Sequence, residues 1–181
     1  MTINKKQTYH YLKTSYKKNS KIKDTTLDKS LSGKRVKVFY NPKTKKSVVV
    51  HRGTASAIDW LKTNIPMIFG YEGGNRFKHA KKIQKAAEQK YGKENITTMG
   101  HSLGGRIAEK VGKNTSQIIT YNKAATPKSI KNKTPINQID IRTSRDPVSY
   151  LSTYQQHSNK PVIVKSKSYN LLNEHSIRAL K

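Results

Sequence analysis

The spacing of apolar residues predicts that strands and helices alternate along most of the chain. Residues 76–91 place apolar side chains every three to four positions and lysines on the opposite face, which is typical of an amphipathic helix. Strands that alternate with helices predict an α/β fold in which a mixed sheet is flanked by helices. Short runs rich in β-branched residues predict strands at 36–40, 47–51, 95–99, 117–121, 136–142 and 162–165, and further helices are predicted at 7–18, 103–111 and 173–180.

Residues 100–105 read Gly-His-Ser-Leu-Gly-Gly and lie where the predicted strand 95–99 meets the predicted helix 103–111. They contain Gly-x-Ser-x-Gly, the pattern of a nucleophile elbow, in which a sharp strand-to-helix turn exposes a serine hydroxyl. A nucleophile elbow requires a strand before it and a helix after it, and both are predicted here. The alternative, a Gly/Ser-rich turn without a catalytic serine, does not need these flanking elements. We therefore predict that Ser102 is a nucleophile and that the backbone N–H of Leu103 is one oxyanion donor.

Two carboxylates compete for the role of the acid that would orient a catalytic histidine. Elbow enzymes of this type carry serine, acid and histidine in that chain order, and few acids follow Ser102. Asp146 comes just after a predicted strand, at the edge where α/β sheets form their crevice, whereas Asp140 lies inside that strand. We favour Asp146 and interpret Asp140 as a structural or surface carboxylate. Glu109 lies in the helix after the elbow, and Glu174 directly precedes the last histidine.

Two histidines follow these acids. His157 lies in a polar stretch that is typical of a loop, and His175 follows the last predicted strand, 162–165. A triad histidine commonly lies beyond the last strand, so we favour His175 over His157. The alternative role for either histidine is that of a surface or capping residue. His175 would take the proton of Ser102, and Asp146 would orient and stabilise the imidazolium.

A second motif, Val-Val-Val-His-Arg-Gly-Thr, occupies residues 48–54 and precedes Asp59-Trp60. With the elbow, with Arg-Asp-Pro-Val at 145–148 and with a late His175, this arrangement resembles the fungal-type (class 3) lipases over residues 36–178. The resemblance implies an α/β-hydrolase fold, cleavage of lipid esters and an acid at Asp146. It also implies that Thr54 supplies a second oxyanion contact through its N–H and hydroxyl.

The sequence departs from those lipases in two places. The strand at 117–121 leads into Asn-Lys-Ala-Ala-Thr-Pro at 122–127 rather than Phe-Gly-Ser/Ala-Pro, so we expect a different site wall. The segment that corresponds to the lid, 64–75, is short. Its apolar residues form either a flap over an acyl pocket or ordinary core packing, and the sequence favours neither. The flap residues would be Ile65, Met67, Ile68 and Phe69.

The net charge is the feature of the composition that bears most on function. The chain carries 37 Lys and Arg residues against ten acidic ones, a formal net charge of +27. One interpretation is docking on an anionic lipid surface, where each basic residue contributes about 1 kcal/mol. Non-specific contact with nucleic acid is a second, although no nucleic-acid motif supports it. A lysine-rich bias without function is the third, and we favour the first.

Length and composition complete the prediction. With 181 residues we expect one domain, 1–181, in which 1–32 is a basic lead segment. Neither a signal peptide nor an apolar run long enough to span a membrane is visible, which predicts a soluble or peripherally bound protein. We expect no metal or other cofactor, and the oligomeric state is open.

The predicted function is a serine hydrolase of lipid carboxylic esters, a triacylglycerol lipase or phospholipase A. The alternative is a non-catalytic, highly basic lipid- or nucleic-acid-binding protein on the same fold.

Overall fold

One mixed sheet organises the chain in the computed structural model, which describes residues 4–18, 20–54, 74–166 and 168–181. Among these residues seven strands pair in sequence order, the first three antiparallel and β3 to β7 parallel. The carboxyl ends of β3 to β7 therefore lie at one edge of the sheet. The strands are β1 (Thr26–Leu27), β2 (Val36–Asn41), β3 (Lys46–His51), β4 (Ile96–His101), β5 (Gln117–Tyr121), β6 (Gln138–Thr143) and β7 (Val162–Val164).

Helices cover both faces of this sheet. The α-helices are α1 (Lys5–Ser15), α2 (Asn75–Tyr91), α3 (Leu103–Val111), α4 (Pro127–Ile130) and α5 (Leu171–His175), and 3-10 turns occupy Lys93–Asn95, Tyr150–Tyr154 and Ile177–Leu180. Helix α1 and the last 3-10 turn pack on one face, and α2 and α3 pack on the other.

Strand alternation explains this division, because successive side chains of a strand point to opposite faces. In β3, Val48 and Val50 join the cluster that contains α1, whereas Val49 packs with Ala87 of α2. The lysines of α2 are exposed on its outer side, as the sequence pattern predicts, whereas its polar residue Gln84 is buried against His51. This arrangement leaves the carboxyl edge between the two layers for the candidate site.

Helix α1 shows that the basic N-terminal region contributes to the core. Its start is fixed by a capping box in which the side chains of Asn4 and Gln7 satisfy each other's backbone N–H groups. Leu12 is buried, and the ring of Tyr11 packs edge-on against Phe39 of β2 with centroids 5.4 Å apart. The lysines of this segment are therefore carried on an element that is anchored to the sheet.

The sequence predictions of β2 to β7, of α2 and of α3 are confirmed to within a few residues. The predicted helix at 173–180 is wrong as a single element: α5 ends at His175, and Ser176 caps a separate 3-10 turn by accepting from the N–H of Arg178. Within the described ranges, none of the helices combines the length and the hydropathy that crossing a bilayer requires.

Candidate active site

Ser102 occupies a strained turn between β4 and α3. Its backbone has φ 56° and ψ −127°, a positive φ that residues with a Cβ rarely adopt. A Cβ on Gly100 would lie 2.1 Å from the carbonyl oxygen of Gly104, and one on Gly104 would lie 2.1 Å from the carbonyl oxygen of His51. Both glycines are thus required by close backbone approach, and the nucleophile elbow predicted at residues 100–105 has the expected local geometry.

His175 and Asp146 form a buried pair at the same edge of the sheet. His175 Nδ1 lies 2.8 Å from Asp146 Oδ1. The Asp146 carboxylate also accepts the N–H groups of Val148 at 3.3 Å and Ser149 at 2.9 Å. Burial alone would raise the pKa of Asp146, but the hydrogen bonds from His175 and Ser149 hold it below its usual value. The carboxylate therefore stays ionised and accepts a hydrogen bond from His175 Nδ1, so that Nε2 is the ring nitrogen left without a carboxylate partner.

Side chains from the sheet hold three consecutive carbonyl groups around His175. Asn122 Nδ2 and the Thr143 hydroxyl donate to the Glu174 carbonyl at 2.8 and 2.9 Å. His101 Nε2 lies 2.7 Å from the His175 carbonyl, and the Tyr121 hydroxyl donates to that of Ser176 at 3.3 Å. Because these donors lie at the ends of β4, β5 and β6, the position of His175 is set by the carboxyl edge of the sheet.

A hydrogen-bond chain fixes the tautomer of His101. Gly53 N–H donates to the Tyr16 hydroxyl at 3.1 Å, and that oxygen lies 3.0 Å from His101 Nδ1. Since the His175 carbonyl can only accept, His101 Nε2 carries the proton, and the Tyr16 hydroxyl donates to Nδ1. Burial, together with the nearby His175, lowers the pKa of His101 to about 3, and burial raises that of Tyr16 to about 12. The chain therefore connects α1, the end of β3 and the elbow without carrying a charge.

Leu103 and Thr54, predicted as oxyanion contacts, lie on the two backbone segments next to Ser102. The N–H of Leu103 lies in the first turn of α3, where backbone donors have no acceptor inside the helix. A Cβ on Gly53 would lie 3.2 Å from the Ser102 Cβ, so the backbone after β3 passes directly against the elbow. Thr54 is the next residue along that backbone and is partly exposed.

The structure contains no hydrogen bond between Ser102 and His175. His175 Nε2 is buried and has no hydrogen-bond partner among the described residues. Its ring lies next to that of His101, tilted by 35° and with centroids 4.8 Å apart, which places it beside the elbow. Hydrogen bonds of this kind are often long before substrate binds, so the separation is compatible with a nucleophile and base.

A second Asp–His pair involves the two residues that the sequence analysis ranked lower. His157 Nδ1 lies 2.9 Å from Asp140 Oδ2, which is also 2.9 Å from the Lys123 ammonium. Lys123 in turn pairs with Glu109, and Gln138 donates to both carboxylates. This cluster lies between α3 and the sheet. Asp140 is thus a buried structural carboxylate, as one interpretation held, and Glu109 is engaged in the same cluster.

The histidines of the two Asp–His pairs differ in the contacts that their ring nitrogens make. The hydrogen bond to Asp140 raises the pKa of His157, and His157 Nε2 lies 2.8 Å from the Ser152 carbonyl. Both ring nitrogens of His157 therefore face acceptors, which suits an imidazolium with no free base. By contrast, His175 presents an unoccupied nitrogen, which is what proton transfer requires.

Sequence analysis missed three supporting residues: Tyr16, His101 and Asn122. Asn122 stands where the sequence departs from the fungal-type lipases, and its position after a strand was the available signal. His101 lies inside the elbow motif, but nothing in the sequence indicates that Tyr16 reaches it from 85 residues away.

The flap residues Ile65, Met67, Ile68 and Phe69 lie outside the described residues.

One of the similar solved structures supports the α/β-hydrolase fold, and two others match this chain less well. A mutant form of MDLA from Penicillium cyclopium has a TM-score of 0.57 at 15% identity, covering 89% of this chain and 78% of that chain. A protein described as a predicted CIB-like hydrolase from Thermoplasma acidophilum has a TM-score of 0.49 at 16% identity, covering 83% and 92%. A fungal lipase structure has a TM-score of 0.47 at 19% identity, covering 84% and 63%.

Comparison with curated proteins found no match. A phospholipase-like family model, described as a Tle-like phospholipase domain, matches residues 4–161, a span that includes the elbow and Asp146. Because the match extends over most of the sequence, this chain belongs to the Tle-like phospholipase domain family.

Proposed function

We propose that the protein is a serine hydrolase that cleaves a carboxylic ester bond of phospholipids, with Ser102 as nucleophile, His175 as general base and Asp146 as the orienting acid. The observation that carries this proposal is the 2.8 Å contact between His175 Nδ1 and the ionised Asp146, beside an elbow serine with a positive φ. Membership of a phospholipase-like family supports the reaction class.

The proposed reaction proceeds through an acyl-enzyme. Ser102 Oγ attacks the acyl carbonyl while its proton passes to His175 Nε2. The oxyanion accepts hydrogen bonds from the Leu103 N–H and from Thr54. When the tetrahedral intermediate collapses, the imidazolium protonates the departing lysophospholipid alcohol. Water, deprotonated by His175, then attacks the acyl group and releases the fatty acid and free Ser102.

Charge favours anionic phospholipid over neutral lipid as the substrate. A net charge of +27 attracts a surface that carries negative headgroups, and the attraction concentrates the enzyme where its substrate lies. A neutral triacylglycerol surface would offer no such attraction. We therefore propose a phospholipase A activity that acts at anionic membranes.

The first experiment compares wild type with Ser102→Ala. Substrates are dihexanoyl phosphatidylglycerol and a short-chain nitrophenyl ester. We expect the variant to lose both activities by about 10⁴-fold or more, because no other group can form the acyl-enzyme. Circular dichroism and thermal unfolding should match wild type, since the hydroxyl makes no contact that holds the fold.

Hydrolysis that persists in folded Ser102→Ala would contradict the assignment of the nucleophile. If wild type hydrolyses neither substrate, the alternative of a basic binding protein becomes the better description. Mass-spectrometric detection of an acyl group on Ser102 during turnover would identify the intermediate directly.

A further inference from the structure

A basic cavity of about 440 Å³ opens beside the candidate site. It lies between the C-terminal end of α1, the start of β2 and the end of β3. The described residues that line it include no carboxylate, although they include five cations. They are Tyr16, Lys17, Lys18, Lys34, Lys37 and Arg52. A cavity of this size suits a small molecule or a lipid headgroup, and its lining suits an anion.

Lys37 is the residue that points most directly to a ligand. It is only 9% exposed, and it sits on β2 two residues before Phe39, on the face of the sheet that α1 covers. Among the residues that the structure describes, its ammonium has no hydrogen-bond or ion-pair partner. An anion in the cavity would give this ammonium a partner of opposite charge.

Arg52 adds a second, oriented cation. Its guanidinium lies over the Tyr16 ring, 4.8 Å from the centroid, so the side chain is held against the cavity wall. A guanidinium presents a planar set of donors that matches the oxygens of a phosphate group. The Tyr16 hydroxyl is already engaged by Gly53 and His101, so the cations are the groups left to bind a ligand.

The cavity lies close to Ser102, because one backbone segment borders both. Arg52 directly precedes Gly53, where a Cβ would lie 3.2 Å from the Ser102 Cβ. One short stretch of backbone therefore contacts the elbow and also forms the cavity wall. A phospholipid carries a phosphate group and a carboxylic ester a few bonds apart, which matches this arrangement of a cation cluster beside a nucleophile.

We propose that this basic cavity binds the phosphate group of an anionic phospholipid whose ester is presented to Ser102, with Lys37 and Arg52 as its principal contacts. The proposal rests on the proposed function for the identity of the ligand. It assigns headgroup recognition to Lys37 of β2 and to Arg52, which lies in the segment after β3 that also carries Thr54. It gives Lys37 an anionic partner that the described residues do not supply.

The test uses the full chain with Lys37→Met, which keeps most of the side-chain volume and removes the charge. Substrates are dihexanoyl phosphatidylglycerol as dispersed monomers and a nitrophenyl ester without phosphate. We expect the KM for the phospholipid to rise about tenfold, the effect of losing one hydrogen bond to a charged group. Turnover of the nitrophenyl ester should be unchanged. Lys34→Gln, on an exposed position, should raise the same KM about threefold without affecting folding.

The matched control is Lys82→Gln with Lys85→Gln, which removes two charges from the exposed face of α2. Monomeric substrate makes membrane attraction irrelevant, so this control should leave both KM values unchanged. An equal rise in KM in the control would overturn the proposal in favour of general charge. An unchanged phospholipid KM in both Lys37→Met and Lys34→Gln would also overturn it.

Direct binding separates this proposal from the proposed function. Calorimetry on the Ser102→Ala protein measures binding of dihexanoyl phosphatidylglycerol, and a second arm uses inorganic phosphate. Lys37-dependent binding of the lipid supports the site even if wild type proves catalytically inactive. Phosphate that binds as tightly as the lipid would assign the cavity to a free anion and overturn the headgroup assignment.

Discussion

His101 places a neutral ring beside the proposed catalytic imidazole. An imidazolium at this position, 4.8 Å from the His175 ring, would oppose the charge that His175 acquires when it accepts a proton. Burial prevents this by lowering the pKa of His101 to about 3. His101 can therefore donate a hydrogen bond to the His175 backbone at any pH where the enzyme works, and its charge does not change during the reaction.

Two buried histidines should make the fold sensitive to mild acid. Burial lowers the pKa of His51 to about 4 and that of His101 to about 3, against an ordinary value of 6.5. Below pH 6.5 both histidines take up protons in the unfolded chain but stay neutral in the native state. The contribution of the two histidines to the free energy of unfolding is therefore lost as the pH falls toward 4. Each histidine contributes a slope of up to about 1.4 kcal/mol per pH unit. Denaturant unfolding at pH 7.5, 5.5 and 4.5 measures this.

His101→Gln keeps a donor for the His175 carbonyl and removes the titration, so it should flatten the slope over this pH range. His10→Gln, on the exposed side of α1, is the matched control and should leave the slope unchanged. A wild-type free energy of unfolding that does not change between pH 7.5 and 4.5 would contradict the argument.

The two Asp–His pairs predict opposite effects of the same substitution. His175→Gln should lower kcat for the nitrophenyl ester by about 10⁴-fold or more, because it removes the base and leaves the fold intact. His157→Gln should leave kcat near wild type and lower the midpoint of thermal unfolding, because it removes one of the partners of Asp140 in a buried cluster. Exchanged phenotypes would show that the pairs have been assigned the wrong way round.

At the scale of elements, the elbow depends on backbone contact between β4, α3 and β3. Gly100→Ala would place a Cβ 2.1 Å from a carbonyl oxygen, so α3 would have to move away from the sheet. We expect a loss of about 1–3 kcal/mol in stability and a larger loss of activity, since Ser102 moves with the turn. Gly33→Ala meets nothing within 4 Å and serves as the control. Thermal unfolding and nitrophenyl-ester turnover measure both effects.

Local patterns predict the elements whose residues interact with near neighbours. The apolar period of α2 and the β-branched runs of β3 and β4 determine those elements, and the steric demand of the elbow is visible as Gly-x-Ser-x-Gly. Sequence reasoning also placed Asp146 and His175, which the structure brings within hydrogen-bond distance. Their catalytic roles stay a prediction.

Contacts between distant residues explain what local patterns do not reveal. The break between α5 and the following 3-10 turn coincides with carbonyls that bond to Asn122, His101 and Tyr121, and these partners lie at the carboxyl ends of β4 and β5. The same holds for Tyr16, whose polar role depends on the approach of α1 to the end of β3. A periodicity argument detects neither, because each depends on pairs far apart in the chain.

At the scale of the whole molecule, the acidic side chains are distributed unevenly between the core and the surface. Five of the eight acidic residues within the described ranges are buried, namely Asp28, Glu109, Asp140, Asp146 and Glu174. Several of these pair with buried or half-buried cations, so they neutralise little of the exposed lysine. The surface is therefore more uniformly positive than the composition suggests, which favours long-range attraction to negative surfaces.

This surface predicts that membrane activity depends on salt. Hydrolysis of phosphatidylglycerol vesicles should fall steeply between about 50 and 500 mM NaCl, because screening weakens attraction between exposed charges. Hydrolysis of a soluble nitrophenyl ester should change little over the same range. Parallel salt titrations on the two substrates test this, and equal dependence in both would exclude docking by charge.

The anchoring of His175 has an evolutionary consequence. The sheet holds the Glu174, His175 and Ser176 backbone through carbonyl oxygens, and every residue type supplies a carbonyl. Substitutions around the imidazole can therefore accumulate without displacing it. The family match ends at residue 161, whereas His175 still meets Asp146. The position of the His175 ring therefore depends on its backbone contacts with the sheet more than on the identity of the side chains around it.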